Sequence, residues 1–352
     1  MLALAEELTS TERHPLFQND AILKAVLTAP IAQAYSQRHQ DERIYYPGQW
    51  TYLDESGQTQ RLEVSIRVRG HFRREYCDKS PLLLNFKKSE VKGTLFAGQD
   101  KLKLVAPCKE HKRYQQYVIL EYLAYKTFEI LTDQSFSTRL VRLTYVDRDE
   151  KLDSWTDVAF VIEDDADLAR RLGMRRLKVK SVRYDALDHP KTALVQLFQL
   201  MVANNDYSVI KGSDDEDCCH NVVALGYEDS ELGRLPVPFD FDMSGLVHAR
   251  YASPPSQIPI RDVRNRYFYG LCQPRNVLDE AIAHVQSKRE EIMALYRNTA
   301  ELNKELRSET IEYIEEYYEL INDRQRVETE IVGRCRGKNL MDKMLQKTIG
   351  PT

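Results

Sequence analysis

The chain has 352 residues, with 50 Lys and Arg against 54 Asp and Glu and a formal net charge of −4. That near-balance excludes nucleic-acid binding through bulk positive charge, so any anion site must be built from a few local residues. Hydrophobic residues at 42% and charged ones at 30% exclude disordered and fibrous classes, and no apolar run approaches the roughly 18 residues of a membrane-spanning helix.

The length fits one large domain or two closely packed lobes, and no linker separates them. Cys77, Cys108, Cys218, Cys219, Cys272 and Cys335 are scattered, without zinc-type spacing, and leave the redox compartment open. At the start, Leu2-Ala3-Leu4-Ala5 ahead of Glu6 and Glu7 reads as the tail of a cropped secretory signal, which points to an exported or periplasmic protein. The alternative is a simple N-terminal helix in a cytoplasmic one.

Residues 20–37 carry Ile22, Leu23, Val26, Leu27 and Ile31 at helical spacing and predict a helix. From Gly48 the texture changes. Tyr52-Leu53, a turn over 54–57, and Leu62, Val64, Ile66 and Val68 alternating with polar residues predict strands, and 81–86 and 101–105 supply two more. Residues 115–131, apolar on more than one face, predict a buried helix. Residues 139–146 and 158–162 then fit a hairpin, 192–202 a mostly apolar helix, and 221–225 with 235–241 a second strand pair. From 276 to about 334 the pattern is helical and charged, most clearly over 301–322. The organisation reads as an N-terminal helical segment (1–47), a β-rich part with a buried helix (48–190), and a part carrying polar loops and charged helices (191–352).

Two clusters interrupt apolar elements with polar residues. Asn204-Asn205-Asp206 follows the apolar helix, with His220-Asn221 at the next strand; Asp240 and Asp242 sit within Pro238-Phe239-Asp240-Phe241-Asp242. Carboxylates at strand ends are costly to bury unpaired, and hard Asp and Asn oxygens suit magnesium. The bland readings are an Asn/Asp turn at a helix end for Asp206, a local backbone acceptor for Asn221, and a surface turn for Asp240 and Asp242, against which the flanking Phe239 and Phe241 argue. His220 beside Cys219 is too small a set for zinc. Residues 163–165 read as a solvated acidic turn or helix start, and the basic run from Arg170 to Lys180 as a solvated face or an anion grip.

The order of parts resembles that of protein kinases: a Gly-bearing turn, lysines on strands, a helix with a Glu, then Asp, Asn and an Asp-Phe-x unit. From about residue 66 to 245 the chain more closely resembles the atypical kinases related to spore-coat protein H, the CotH kinase-like family. Arg67-Val68-Arg69-Gly70-His71-Phe72-Arg73 is similar to that family's Arg-x-Arg-Gly-Asn turn, and Lys79-Ser80-Pro81 with the following strand to its Lys-rich strand. Glu163 falls where the family has a Glu after a strand. Asn204-Asn205-Asp206-Tyr207 is similar to its Asn-x-Asp-Trp, and Pro238-Phe239-Asp240-Phe241-Asp242 to its Pro-Trp-Asp-x-Asp.

The resemblance implies an α+β, two-lobed, atypical protein-kinase-like fold with a β-rich N-terminal lobe and a mostly helical C-terminal region. It also implies ATP-dependent phosphoryl transfer to a hydroxyl of a protein or small-molecule acceptor, with magnesium or manganese. Asp206 would be the base, and Asn221 and Asp240 the metal ligands, with Asp242 a further one. Arg69 and Gly70 would form the nucleotide turn. The nucleotide lysine stays open among Lys79, Lys101 and Lys103, with Glu121 as counter-ion. Three departures mark the chain. His71 replaces the turn Asn, Asn85 occupies a strand Lys position, and Asn221 lies 15 residues after Asp206, against about five in the kinase signature. They leave room for a pseudokinase or scaffold that binds nucleotide or a partner without turnover.

Overall fold

The computed structural model describes residues 12–212 and 217–349; the signal-like start and Asp214, Asp215 and Glu216 of the acidic run lie outside them. Two compact units divide the chain, Met1–Tyr122 with Phe136–Gly173, and Leu123–Ser135 with Met174–Thr352.

In chain order the elements up to residue 173 are β1 (Leu23–Ala29), α1 (Ile31–Ser36), β2 (Tyr46–Leu53), β3 (Thr59–Val68), α2 (Phe72–Tyr76), β4 (Leu82–Phe86), β5 (Lys101–Val105), α3 (Lys112–Leu131), β6 (Thr138–Asp147), β7 (Trp155–Ile162) and α4 (Asp165–Arg171). The seven strands close into a barrel in the order β1-β2-β3-β4-β5-β7-β6. All pairings are antiparallel except β1 with β6, where Leu27 lies beside Tyr145. Alternation builds the interior, since successive strand residues point to opposite faces. Leu27, Trp50, Ile66, Leu84, Leu104 and Val141 are buried in one cluster.

Closure of this sheet overturns the expected two-lobed kinase-like fold. The decisive segment is residues 20–37, expected as a helix. Instead Leu23, Ala25, Leu27 and Ala29 alternate inward on β1, and Pro30 ends the strand before the short α1. A short apolar run satisfies both periods, and pairing on two sides decides in favour of the strand. With β1 bonded to β2 and to β6, the sheet has no free edge. The other strands of this unit, the hairpin β6–β7 and the helix α3 stand within a few residues of where the sequence puts them.

The second unit carries β8 (Arg175–Arg176), α5 (His189–Met201), β9 (Val222–Gly226), β10 (Leu235–Pro238), α6 (Arg275–Ser287), α7 (Arg289–Asn298), α8 (Lys304–Asn322), α9 (Arg324–Arg326) running into a π-helical turn over Val327–Val332, and α10 (Lys338–Ile349). β8, β9 and β10 form a small antiparallel sheet. Two helix starts carry side-chain caps: Asp188 accepts from Lys191 N–H at 3.0 Å, and Asn303 from Leu306 N–H at 2.9 Å. α8 buries Tyr313, Ile314, Tyr317 and Ile321 along one stripe. The six cysteines form three disulfides, Cys77–Cys108, Cys218–Cys219 and Cys272–Cys335. Among the described residues no helix is long and apolar enough to cross a membrane.

Candidate active site

The catalytic-loop candidates gather at the end of α5. That helix is almost wholly buried, from Thr192 to Met201. It ends because Ala203 takes a left-handed φ of 48° and Asn204 N–H turns back to the Gln199 carbonyl at 2.8 Å. Asn204 Oδ1 then accepts from Asp206 N–H at 3.1 Å, an Asx turn that sets Asp206 at the head of a loop. Burial of the neighbouring Tyr207 pushes its phenol up, against the pull of Arg336, so it stays protonated.

Although 15 residues separate them, Asn221 returns to Asp206. Its Nδ2 donates to the Asp206 carbonyl at 2.7 Å and to Oδ2 at 3.1 Å. His220 Nε2 lies 2.8 Å from Asp206 Oδ1. An ionised carboxylate only accepts, so Nε2 carries the proton.

β9 and β10 bring the Asp-Phe-Asp unit alongside. Their ladder pairs Pro238 with Val222 and continues with Phe239 N–H donating to the Asn221 carbonyl at 3.0 Å. Asp240 follows with φ 62°, its N–H donating to Tyr125 Oη at 2.9 Å. Phe241, with 0% exposure, fixes this turn. Its ring meets Tyr125 at 4.7 Å and Phe198 at 5.3 Å, both edge-on. Asp242 is buried at 5% exposure. The segment then docks on the α5 end through Gly245 N–H to the Ala203 carbonyl and Leu246 N–H to the Val202 carbonyl. A Cβ on Gly245 would stand 2.4 Å from the Val263 carbonyl oxygen, so no side chain fits there.

Among the described residues, three of the five non-glycine residues with positive φ, Ala203, Asn221 and Asp240, therefore sit in this cluster. Strain of that kind concentrates where a site holds side chains in set directions. Asn221 Oδ1 and the half-buried Asp240 carboxylate are hard oxygens of the type magnesium takes. Among the described residues no three His, Cys, Asp or Glu side chains converge as a protein-only metal site.

The nucleotide candidates belong to the first unit. Gly70 takes φ 86° in the turn after β3, and Arg69 N–H donates to the Pro81 carbonyl at 2.8 Å. Lys101 and Lys103 share the outer face of β5, opposite the inward Leu102 and Leu104. Lys103 reaches Asp165 at 2.7 Å, while Lys101 is exposed. Lys79 meets Asp157 at 3.1 Å and lies over the Trp155 ring. Glu121, 2% exposed, receives Arg73 at 3.1 Å. Of the partners, Arg73 and Asp165 lie in segments the sequence picked out, the Gly-bearing turn and the acidic 163–165, but not in this role, and Asp157 was not singled out. Asp157 was visible as the one acid in the inward series of β7.

Glu163 is buried rather than solvated. It accepts two bonds from Arg171, at 3.1 and 2.9 Å, and one from Ser137 N–H at 3.0 Å, while Asp164 caps α4. The basic run is matched by acids: Arg170 to Asp167, Arg175 to Glu228 and Lys180 to Asp217. No protein-family model matches the chain, and no curated protein matches it.

Proposed function

We propose that the chain is an ATP- and magnesium-dependent phosphotransferase of the CotH kinase-like type, working on a barrel-bearing scaffold rather than a two-lobed kinase fold. The observation that carries this reading is the return of Asn221 to Asp206, with Asp240 one residue past the Asn221–Phe239 contact. Phosphoryl transfer asks little covalent chemistry of a protein; it needs positioning and charge neutralisation. Asp206 would orient the acceptor hydroxyl and take its proton. Asn221 and Asp240 would hold the magnesium, with Asp242 behind them. Since the Asn221 amide nitrogen is engaged by Asp206, its Oδ1 is left to face a cation. When bound, magnesium would neutralise charge on the phosphates. The acceptor would be a protein or small-molecule hydroxyl.

All six cysteines are paired, which supports maturation in an oxidising compartment and hence export. A second reading, a scaffold without turnover, is favoured by one observation: Lys79 and Lys103 already carry carboxylate partners.

The test is nucleotide turnover by the purified full chain with ATP and magnesium or manganese, alongside Asp206→Asn and Asp240→Asn. Turnover lowered by at least about a hundredfold, with a measurable residue, is expected in both variants. Activity equal to that of the unsubstituted chain in both variants removes the assignment. If neither ATP–magnesium nor ATP–manganese raises the melting temperature, the scaffold reading takes its place.

A further inference from the structure

The long excursion between Asp206 and Asn221 has a defined return. Ser208 N–H donates to the His220 carbonyl at 2.9 Å, and His220 N–H approaches the Lys211 carbonyl at 3.4 Å, so the two arms pair at their base. The returning arm is anchored again just before His220. Cys218 N–H donates to the Val179 carbonyl at 2.7 Å, Cys219 N–H to that of Val222 at 3.2 Å, and the two cysteines are joined. What this arm delivers is an imidazole against one oxygen of Asp206 and, from the next residue, an amide against the other.

We infer that His220 is the positioning residue of Asp206, holding its carboxylate in one rotamer for the acceptor hydroxyl. The inference rests on the reading of Asp206 as the base of phosphoryl transfer. The Asp206 and His220 side chains are 42% and 41% exposed, so water competes for the carboxylate and packing alone does not fix it. The terminal torsion of Asp is broad and two-fold, whereas catalytic geometry needs about 0.5 Å of precision. The Nε2–H of His220 on Oδ1 and the amide of Asn221 on Oδ2 remove that freedom. Each carboxylate oxygen keeps a second lone pair for the acceptor. In the step served, the acceptor oxygen bonds to the γ-phosphorus, the bond from that phosphorus to the β–γ bridging oxygen breaks, and the hydroxyl proton passes to Asp206. His220 gives up no proton. The excursion that departs from kinase spacing is, on this view, the device that brings His220 in.

The experiment is steady-state ATP turnover by the full chain and by His220→Ala, His220→Gln, Asp206→Asn and His220→Ala/Asp206→Asn. His220→Ala is expected to lower kcat roughly tenfold, the size of one lost hydrogen bond to a charged group, with KM for magnesium–ATP unchanged within about twofold. His220→Gln, which keeps a donor, should recover part of the loss. In the Asp206→Asn background His220→Ala should cost nothing further. Wild-type kcat in His220→Ala, no recovery by Gln, or an additive loss in the double variant overturns the positioning role while leaving the base assignment intact. Full activity in Asp206→Asn, or no turnover by the unsubstituted chain, overturns both. For a variant that fails to fold, the imidazole nitrogen resonances of Asp206→Asn serve instead: an unmoved His220 Nε2 signal counts against the contact.

Discussion

Phe241→Ala tests how the site is built. The side chain has 0% exposure and meets Tyr125 and Phe198 at centroid distances of 4.7 and 5.3 Å. A buried Phe removes about 200 Å² from water, worth about 5 kcal/mol at roughly 25 cal/mol/Å². Compactness of the denatured chain lowers that figure, while each edge-on ring pair adds about 1 kcal/mol. Deletion to Ala should therefore cost about 4 kcal/mol, inside the range of about 3–5 for such changes, and Phe241→Leu less than about 2 kcal/mol. Urea denaturation followed by far-UV circular dichroism reads the loss. Both tryptophans, Trp50 and Trp155, belong to the first unit, so their fluorescence is a poor monitor of this change. On the proposed function, Asp240 and Asp242 flank the anchor, so Phe241→Ala should also weaken magnesium–ATP binding, whereas Phe241→Leu largely preserves it. A loss below about 1 kcal/mol for the Ala variant would refute the claim that Phe241 fixes this turn.

Arg171→Leu leaves Glu163, 1% exposed, as a buried carboxylate without its two-pronged partner; it should destabilise by about 3–5 kcal/mol, with Arg171→Leu/Glu163→Gln recovering much of the loss. Asp147 is held below the usual carboxylate range: burial pushes its pKa up, but backbone N–H groups of Ala32, Lys151, Ile31 and Leu152 together outweigh it. A depressed folded pKa contributes stability that is complete above the unfolded value near about 4 and is lost as pH falls through the folded value. The stability gap between the wild type and Asp147→Asn, measured by denaturation at neutral and at acid pH, should therefore narrow at acid pH, and a constant gap counts against it.

Much of the barrel was legible because its strands alternate. Leu62, Val64, Ile66 and Val68 on β3 and Leu102 and Leu104 on β5 announce inward faces with a period that no helix shares. Closure was not legible. It depends on β1, whose seven residues fit two periods, and on a parallel pairing with β6 more than a hundred residues away. Non-local pairing leaves no local trace. In the site, Asp206, Asn221 and Asp240 stood out as polar breaks in apolar elements. The contact of His220 with Asp206 did not, since it depends on how the intervening loop pairs with itself, and a lone His next to a Cys reads first as a weak metal pair.

The backbone at Asp240 separates what the residue does for the fold from what it does for chemistry. Its φ of 62° is left-handed, which costs a residue with a Cβ roughly 1–2 kcal/mol and glycine little. Asp is among the few side chains that tolerate this region, and here its N–H is also held by Tyr125. Asp240→Ala and Asp240→Gly both delete the carboxylate, so on the proposed function both should lower metal-dependent turnover equally. They differ only in the presence of a Cβ. If the neighbouring Phe241 anchor enforces the left-handed turn, Asp240→Gly should be more stable than Asp240→Ala by about 1 kcal/mol, measured by urea denaturation under identical conditions. Equal stability, or the reverse order, would mean that the turn is not imposed by its surroundings. In that case the direction of the Asp240 carboxylate, one residue past the Asn221–Phe239 contact, loses its structural cause, even if the residue proves necessary for turnover.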